Sequence, residues 1–285
     1  IASAATAVVI GHIAGGTKTI RVGAGGIMLP NHAPLVVAEQ FGTLASLYPG
    51  RIDLGLGRAP GTDQVTAHAL RRSLTSDVDD FPRDVVELRH YLGDAQPGQR
   101  VTAVPGIGTK VPLWILGSSL FGAQLAAMLG LPFAFASHFA PAYMQQAIEI
   151  YRSQFQPSEQ LQKPHVMLGF NVCGAATDDE AQYLRSSAVQ SFLNLRSGNP
   201  GPLPPPIKNF DATLSAQDHA MLDQVANCSA IGSMSTIRDS LAQFIHTTGA
   251  DELMLVCSIF DHQKRVESVE ITFDAIGQLQ TQSAA

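Results

Sequence analysis

The chain has few charged residues. Only 15% of its 285 residues are charged, and the formal net charge is −6. Lysine and arginine are scattered along the chain instead of being massed, which argues against nucleic acid or an anionic membrane as a partner. The 45% hydrophobic content is enough for a large buried core, so a small molecule is the partner that we expect.

Cysteine is scarce as well. The three cysteines, Cys173, Cys228 and Cys257, lie far apart and show no CxxC or Cys/His spacing. Neither a disulfide framework nor a zinc site is indicated, and we expect a reducing compartment and a cytoplasmic protein. The scattered Asp, Glu and His residues offer no set of metal ligands, so no metal is predicted.

One long segment lacks charge completely. No charged residue occurs between Val111 and Ile148, a length that would permit a membrane-spanning helix. Glycine, serine and proline divide this segment into VPLWIL, an Ala- and Leu-rich helix, and PFAFAS. A strand, a helix and a strand of these lengths are typical of a βαβ unit buried on both faces. We therefore expect a buried core here and no contact with a membrane.

The rest of the sequence repeats this alternation of helices and strands. The patterns predict helices at 2–14, 34–47, 63–72, 80–92, 141–155 and 177–196 with a closing helix from 261, and strands at 19–29, 51–57, 165–173 and 253–258. With VPLWIL and PFAFAS, about six parallel strands are visible. An eight-stranded barrel uses about 30 residues for each βα unit, so we expect the first two units to be absent from a single, N-terminally incomplete domain at 1–285.

One segment interrupts the alternation. Residues 197–210 read SGNPGPLPPPIKNF and are too rich in proline for the interior of a helix or strand. The segment is predicted to be a loop or lid, and a surface connection without a role is an equally open alternative.

Polar groups follow two of the predicted strands. RVGAGGIMLPNHAP (21–34) and RIDLGLGRAPGTDQ (51–64) each end a strand pattern with glycine and proline. Ligands of α/β proteins bind at this end of parallel strands. Arg58 follows a nearly uncharged strand, where its planar guanidinium suits a phosphate; a structural ion pair is the alternative. The spacing in GLGRAPG (55–61) is wrong for a dinucleotide-binding fingerprint.

A third strand end carries two hydroxyl groups. Gly117, Ser118 and Ser119 join a buried strand to a helix, so free backbone N–H groups and hydroxyls can converge on an anion at the helix start. The alternative is that a serine only caps that helix. His138 follows PFAFAS and is either a hydrogen-bonded wall residue or a group for proton transfer to the cofactor or substrate. His32 is a lesser candidate.

Longer strings carry a family resemblance. GAGGIMLPNHAPLVVAEQFGTLASLYPGRIDLGLGRAPGTDQ, VPLWILGSSLFGAQLAAMLGLPFAFASHFAP, ADELMLV and DHQKRVES closely resemble the bacterial luciferase-like flavin monooxygenases. The resemblance implies an α/β fold of the (β/α)8 TIM-barrel type, with reduced FMN as co-substrate and molecular oxygen as oxidant. It also implies that the catalytic histidine of the family belongs to a unit that we expect to be missing.

The resemblance assigns roles to residues at the strand ends. It implies that Arg58 contacts the FMN phosphate and that Gly25 and Gly26 lie under the isoalloxazine ring, with a non-proline cis bond as one option. Met28 and Leu29 would flank the ring. Without the resemblance, the two glycines would more often mark a bulge or tight strand packing.

The sequence thus predicts both a site and an activity. The expected cofactor-binding residues are Gly25, Gly26, Ile27, Met28, Arg58, Gly117, Ser118 and Ser119, and the candidate catalytic residue is His138. From the resemblance we expect an FMN-dependent monooxygenase that oxidises a small organic substrate, receives reduced flavin from a flavin reductase and forms a homodimer. A deazaflavin-dependent oxidoreductase on the same fold and a non-catalytic flavin-binding protein remain as alternatives.

Overall fold

The computed structural model describes residues 5–58 and 80–283 and divides into two compact units. The first unit comprises Ile1–Ala134 and Gln146–His165, and the second comprises Phe135–Gln145 and Val166–Ala285, as far as these residues are described. The helix predicted at 63–72 lies outside the described residues.

Helices and strands alternate along the described chain. The helices are α1 (Thr6–Gly16), α2 (Pro34–Leu47), α3 (Phe81–Leu92), α4 (Leu120–Leu129), α5 (Met144–Gln154), α6 (Asp178–Arg196), α7 (Ala216–Ala226), α8 (Met234–Thr248) and α9 (His262–Ser283). The strands are β1 (Val22–Met28), β2 (Ile52–Gly57), β3 (Leu113–Gly117), β4 (Phe133–Phe135), β5 (Val166–Gly174), β6 (Ser229–Gly232) and β7 (Glu252–Val256). The predicted α/β class is confirmed.

Helix α2 has the bounds that its sequence predicts. Pro34 occupies the first turn, where a helix needs no backbone N–H donor. Val37, Phe41 and Leu44 recur at helical spacing and are buried on one face. Gly50, with a φ of 74°, turns the chain into β2 directly afterwards.

The sheet of the first unit brings three strand ends to one level. β1 pairs with β2 and β2 pairs with β3, in both cases parallel. Met28 is the register partner of Gly57, and Gly57 is the partner of Leu116. Leu54 and Leu56 of β2 are fully buried, which fixes this register because a slip by one residue would turn both out of the core.

In the second unit, β5 is the central strand. It pairs parallel with β7 from Met167 to Asn171 and with β6 from Asn171 to Gly174. Phe170 is buried, and its ring centroid lies 4.6 Å from that of Phe244 on α8. Gly169 and Asn171 stand on either side of Phe170 in the strand, so both face the side of β5 opposite to the Phe170 ring.

Three elements of the second unit were not predicted. β6 has only four residues, SAIG, too few to show an alternating pattern. Helices α7 and α8 flank this strand. A signal for α7 was present, because Ser215 and Asp218 form a reciprocal capping box at its start.

The predicted start of α6 is confirmed in part. Thr177 is the N-cap residue, and its hydroxyl accepts a hydrogen bond from the backbone N–H of Glu180 at 3.2 Å. The Glu180 carboxylate instead pairs with Lys264 of α9 at 2.9 Å. The ion pair replaces the second half of the expected capping box.

The charge-free segment is part of the core. It forms β3, α4 and β4, and Ile115, Ala126 and Phe133 in these elements are completely buried. None of the helices in the described part of the chain has the length and apolar character needed to cross a bilayer.

Candidate functional site

The predicted cofactor-binding residues follow strand ends that lie side by side. Arg58 comes directly after Gly57, the last residue of β2, and the register partner of Gly57 on β3 is Leu116, which precedes the last residue Gly117. Met28, at the end of β1, pairs with Gly57 from the other side. Met28, Arg58, Gly117, Ser118 and Ser119 thus lie at the carboxyl ends of three neighbouring strands, while Gly25, Gly26 and Ile27 precede the end of β1.

Gly25 and Gly26 occupy an irregularity in β1. The register shifts between Gly25 and Ile27, so Gly26 has no partner on β2, and the Gly25–Gly26 peptide bond is cis. A Cβ on Gly26 would lie 2.6 Å from the carbonyl oxygen of Gly55. The close approach of the two main chains therefore accounts for Gly26.

Gly25 has a different environment. A Cβ built on this residue meets no atom of the described chain within 4 Å, and the residue is exposed. Packing within the described residues gives no reason for a glycine here. The open space over its backbone is what a planar ring lying against the strand would need.

The neighbours of the two glycines divide between the core and the surface. Ile27 is 7% exposed and Leu29 is fully buried, while Met28 is 36% exposed. Of these three, Met28 has the side chain that can reach a ligand at the strand end. Ile27 can contribute only its backbone.

Helix α4 begins without a side-chain cap. Ser119 is its N-cap residue in an extended conformation, and its hydroxyl makes no capping hydrogen bond within the described residues. The first turn contains no acidic side chain. The first backbone N–H groups, which never have an intrahelical partner, therefore have no capping side chain in the described residues either, and this favours an anion over a simple serine cap.

Arg58 stacks on an aromatic ring. Its guanidinium carbon lies 4.2 Å from the centroid of the Phe121 ring, in the first turn of α4. Within the described ranges no carboxylate forms an ion pair with Arg58. The stacking keeps the half-buried guanidinium beside the helix start without using its N–H donors. Sequence reasoning missed Phe121, for which an aromatic residue two positions after Ser119 was the available signal.

His138 belongs to the second unit, where it follows β4. Its ring lies against Gly169 of β5, and burial lowers the pKa of the imidazole from its usual value. The Nδ1 atom is buried and has no hydrogen-bond partner among the described residues. One expectation for His138 was a hydrogen-bonded wall residue, but its Nδ1 makes no hydrogen bond within the described residues.

The segment around His138 is attached to β5. The Ser137 hydroxyl donates to the Gly169 carbonyl at 2.6 Å, and the Asn171 side-chain amide donates to the His138 carbonyl at 2.8 Å. The sequence analysis missed Gly169 and Asn171. Their positions in GFN, two residues apart on one face of β5, gave no signal by themselves.

The Pro-rich segment 197–210 contains no helix or strand before Phe210. It lies along α6, where Gln190 donates to the Pro205 carbonyl at 3.0 Å and Ser186 accepts from the Ile207 N–H at 2.8 Å. A cavity of about 520 Å³ lies between α6 and residues 207–211. The role of segment 197–210 as a lid stays a prediction.

No cluster of three or more His, Cys, Asp or Glu side chains suited to a metal ion occurs in the described parts of the chain.

The sequence and the fold both match known proteins. The model of the luciferase-like monooxygenase family matches residues 2–252. A protein of Escherichia coli (strain K12) named luciferase-like monooxygenase is 52% identical over 279 residues, which cover 98% of this chain and 83% of that protein. The crystal structure of apo-MsnO8 is 34% identical, with a TM-score of 0.82 over 95% of this chain and 82% of that one.

Two more distant structures share the fold. One is the oxygenating constituent of 3,6-diketocamphane monooxygenase from Pseudomonas putida in complex with FMN, with a TM-score of 0.65 at 18% identity over 93% of this chain and 81% of that chain. The other is an F420-dependent secondary alcohol dehydrogenase in complex with an F420-acetone adduct, with a TM-score of 0.68 at 17% identity over 96% and 84%. At this identity they bear on the fold alone.

These matches confirm the predicted α/β fold of the TIM-barrel type and the resemblance on which that prediction was based. Because the family model spans most of the sequence and the Escherichia coli relative matches nearly all of it, the chain belongs to the luciferase-like monooxygenase family and is a flavin-dependent oxidoreductase.

Proposed function

We propose that the protein is an FMN-dependent monooxygenase that oxidises a small organic substrate with molecular oxygen. The observation that carries this proposal is the alignment of three strand ends, which brings Arg58 and the uncapped start of α4 beside the end of β1, the strand on which Gly25 lies open. A cation and a helix N-terminus at the strand ends, with bare backbone on the neighbouring strand, suit a phosphate joined to a planar ring.

The described residues fit FMN. Arg58 and the N–H groups after Ser119 would bind the phosphate, with the hydroxyls of Ser118 and Ser119 as further donors. Gly25 would present its backbone to the ring, with Met28 at its side. When bound, the reduced flavin supplies two electrons with which one atom of O₂ enters the substrate and the other leaves as water.

His138 is the residue that we propose for handling a proton or a hydrogen bond in the reaction. Its imidazole is neutral at neutral pH because burial disfavours the charged form. Ser137 and Asn171 hold the surrounding backbone, so the position of the ring is fixed before any ligand arrives. The proposed partners are a flavin reductase, which delivers the reduced cofactor, and a second copy of the chain in a homodimer.

Calorimetry with FMN tests the phosphate site. Arg58→Gln should weaken FMN binding by at least tenfold, because a charge-assisted contact to phosphate is lost. The matched control is Arg100→Gln, which removes an exposed arginine of the same unit and should leave the affinity unchanged. Equal affinities in both variants would contradict the assignment of Arg58.

Oxygen uptake tests the activity. Wild-type protein with FMN, a flavin reductase and NADH should consume oxygen in proportion to the substrate oxidised. Tight FMN binding without substrate oxidation would support a non-catalytic flavin-binding protein instead. Binding of the F420 deazaflavin coenzyme in preference to FMN would support a deazaflavin-dependent oxidoreductase.

A further inference from the structure

His138 lies with one edge of its ring on a bare position of β5. A methyl group at Gly169 would overlap Nδ1 and would lie 3.0 Å from Cγ and 2.8 Å from Cε1. No side chain larger than hydrogen fits there unless the ring moves. Gly169 is therefore required by the position of His138, since β5 itself tolerates side chains on either side of it.

The geometry also defines the direction of Nδ1. The methyl position is almost equally far from Cγ and Cε1, so it lies close to the axis along which Nδ1 carries either its lone pair or its hydrogen. A hydrogen on Nδ1 would point at the methyl position that Gly169 leaves bare, where no acceptor lies. Within the described residues no other group approaches this buried nitrogen as a partner.

This environment selects one tautomer of the imidazole. A buried N–H without an acceptor is rarer and more costly than a lone pair without a donor. His138 is half-buried, and Nε2, unlike Nδ1, is not one of the buried atoms that lack a partner in the described part of the chain. A proton on Nε2 can reach water or a ligand, whereas a proton on Nδ1 can reach nothing.

We propose that Gly169 and Asn171 are positioning residues that hold His138 as a neutral imidazole protonated on Nε2, so that it donates a hydrogen bond to an oxygen atom of a bound ligand and does not act as a base. Gly169 supplies the space for the Nδ1 edge. Asn171, on the same face of β5, holds the His138 carbonyl and so fixes the direction of the Nε2 edge. The catalytic part rests on the function proposed above, while the tautomer does not.

Nitrogen NMR of the free protein tests the tautomer without any flavin. In a long-range ¹H–¹⁵N spectrum at pH 7, the His138 signals, assigned by their loss in His138→Gln, should show a protonated Nε2 and an unprotonated Nδ1. A spectrum of the Nδ1–H tautomer or of the cation at this pH would overturn the proposal.

Substitutions test the two positioning residues. Gly169→Ala should alter the His138 signals and lower kcat by at least tenfold with little change in KM for the substrate, while Gly277→Ala, in open space on α9, should change neither. If Gly169→Ala fails to fold, Asn171→Ala provides the second measurement, with an altered His138 signal expected. Unchanged signals and kcat in the folded variants would overturn the proposal.

The experiments distinguish failure of the proposed function from failure of the proposal about His138. Absence of FMN binding and oxygen uptake in the wild-type protein would remove the monooxygenase assignment while leaving the His138 tautomer measurable. Retained oxygen uptake with an Nδ1–H tautomer would leave the monooxygenase standing and remove the donor role.

Discussion

Two adjacent glycines in β1 are constrained in opposite ways. Gly26 faces the main chain of β2, whereas Gly25 faces open space. We predict that Gly26→Ala costs about 1–3 kcal/mol of unfolding free energy, because the new methyl group would overpack against a backbone that cannot move aside.

Gly25→Ala should leave the urea midpoint unchanged and weaken FMN binding, because its methyl group fills only the space proposed for the ring. Urea denaturation and FMN calorimetry on both variants separate the two effects. A loss of stability in Gly25→Ala equal to that in Gly26→Ala would show that this space is already filled by the protein.

The lowered pKa of His138 predicts how stability depends on pH. Burial places the folded-state pKa below the unfolded value of about 6.5. As the pH falls, His138 is therefore protonated in the unfolded chain before it is protonated in the folded protein. The contribution of the neutral ring to the unfolding free energy is present above the unfolded pKa and is lost as the pH falls through the folded-state pKa.

Between pH 7.5 and 5, the wild type should lose more unfolding free energy than His138→Gln, which has no group that titrates at this position. Urea denaturation at several pH values measures the difference, and the carboxylates common to both proteins cancel in the comparison. Parallel pH profiles for the two proteins would contradict the burial of the ring.

At the residue scale, the sequence identified the chemistry but not the contacts. Arg58 and Ser119 were recognisable because a cation and a hydroxyl at strand ends suit an anion. Phe121 and Gly169 were not, because stacking under Arg58 and the space beside His138 exist only after distant segments meet. A glycine that makes room for another residue has no local sequence signature.

One carboxylate connects two helices of the second unit. Asp178, in the first turn of α6, accepts hydrogen bonds from the Ser233 N–H at 2.6 Å and from the Thr236 hydroxyl at 2.9 Å. These bonds lower its pKa, with the Ser233 N–H as the largest cause. Asp178 therefore caps α8 from outside, in place of the Ser233 side chain, which makes no capping bond within the described residues.

Asp178→Asn should lower the thermal midpoint at neutral pH more than Asp179→Asn, which removes an equal charge from the same helix turn. The folded-state pKa of Asp178 is depressed. The contribution of its carboxylate to the unfolding free energy is therefore present above the unfolded pKa of about 3.9 and is lost as the pH falls through the folded-state pKa. The difference in thermal midpoint between wild type and Asp178→Asn should thus narrow as the pH falls below the unfolded value. A gap that persists in acid would show that the bonds do not depend on the charge.

At the element scale, prediction succeeded for α2, whose apolar pattern is long and whose two ends are marked. The 14 residues of α2 show several turns of apolar periodicity, and both ends are marked by proline, so its bounds were confirmed. β6 has four residues and depends on pairing with β5, so no local pattern existed to be found. Length alone was not sufficient, because the 15-residue helix α8 was not predicted either.

At the scale of the whole molecule, the alternation of helices and strands gave the α/β class, and long matching strings gave the family. Neither gave the register between β1, β2 and β3, because each strand alone permits several pairings. That register determines which strand-end residues meet. The candidate cofactor site was therefore predicted only as a set of residues, and the structure adds the register of the strands that carry them.

Two buried cysteines report on opening of the whole second unit. Burial raises the pKa of Cys173 to about 12 and that of Cys228 to about 11, and both side chains are at most 4% exposed. Since the thiolate is the reactive form, neither should react with a disulfide reagent at pH 8 in the folded protein, while both should react once the chain unfolds in urea. Rapid labelling of Cys173 in the native protein would contradict its burial.

The rate of cysteine labelling can also be measured with and without FMN, the cofactor proposed for the first unit. A ligand that binds only the folded state at about 100 times its Kd adds roughly 2.7 kcal/mol of stability. If labelling requires global unfolding and reclosing is fast, this stabilisation slows labelling about hundredfold. We expect that slowing when FMN is added to the wild type, and little of it in Arg58→Gln at the same FMN concentration. A rate for Cys173 that FMN leaves unchanged in the wild type, with FMN binding verified by calorimetry, would mean that the second unit opens independently of the first.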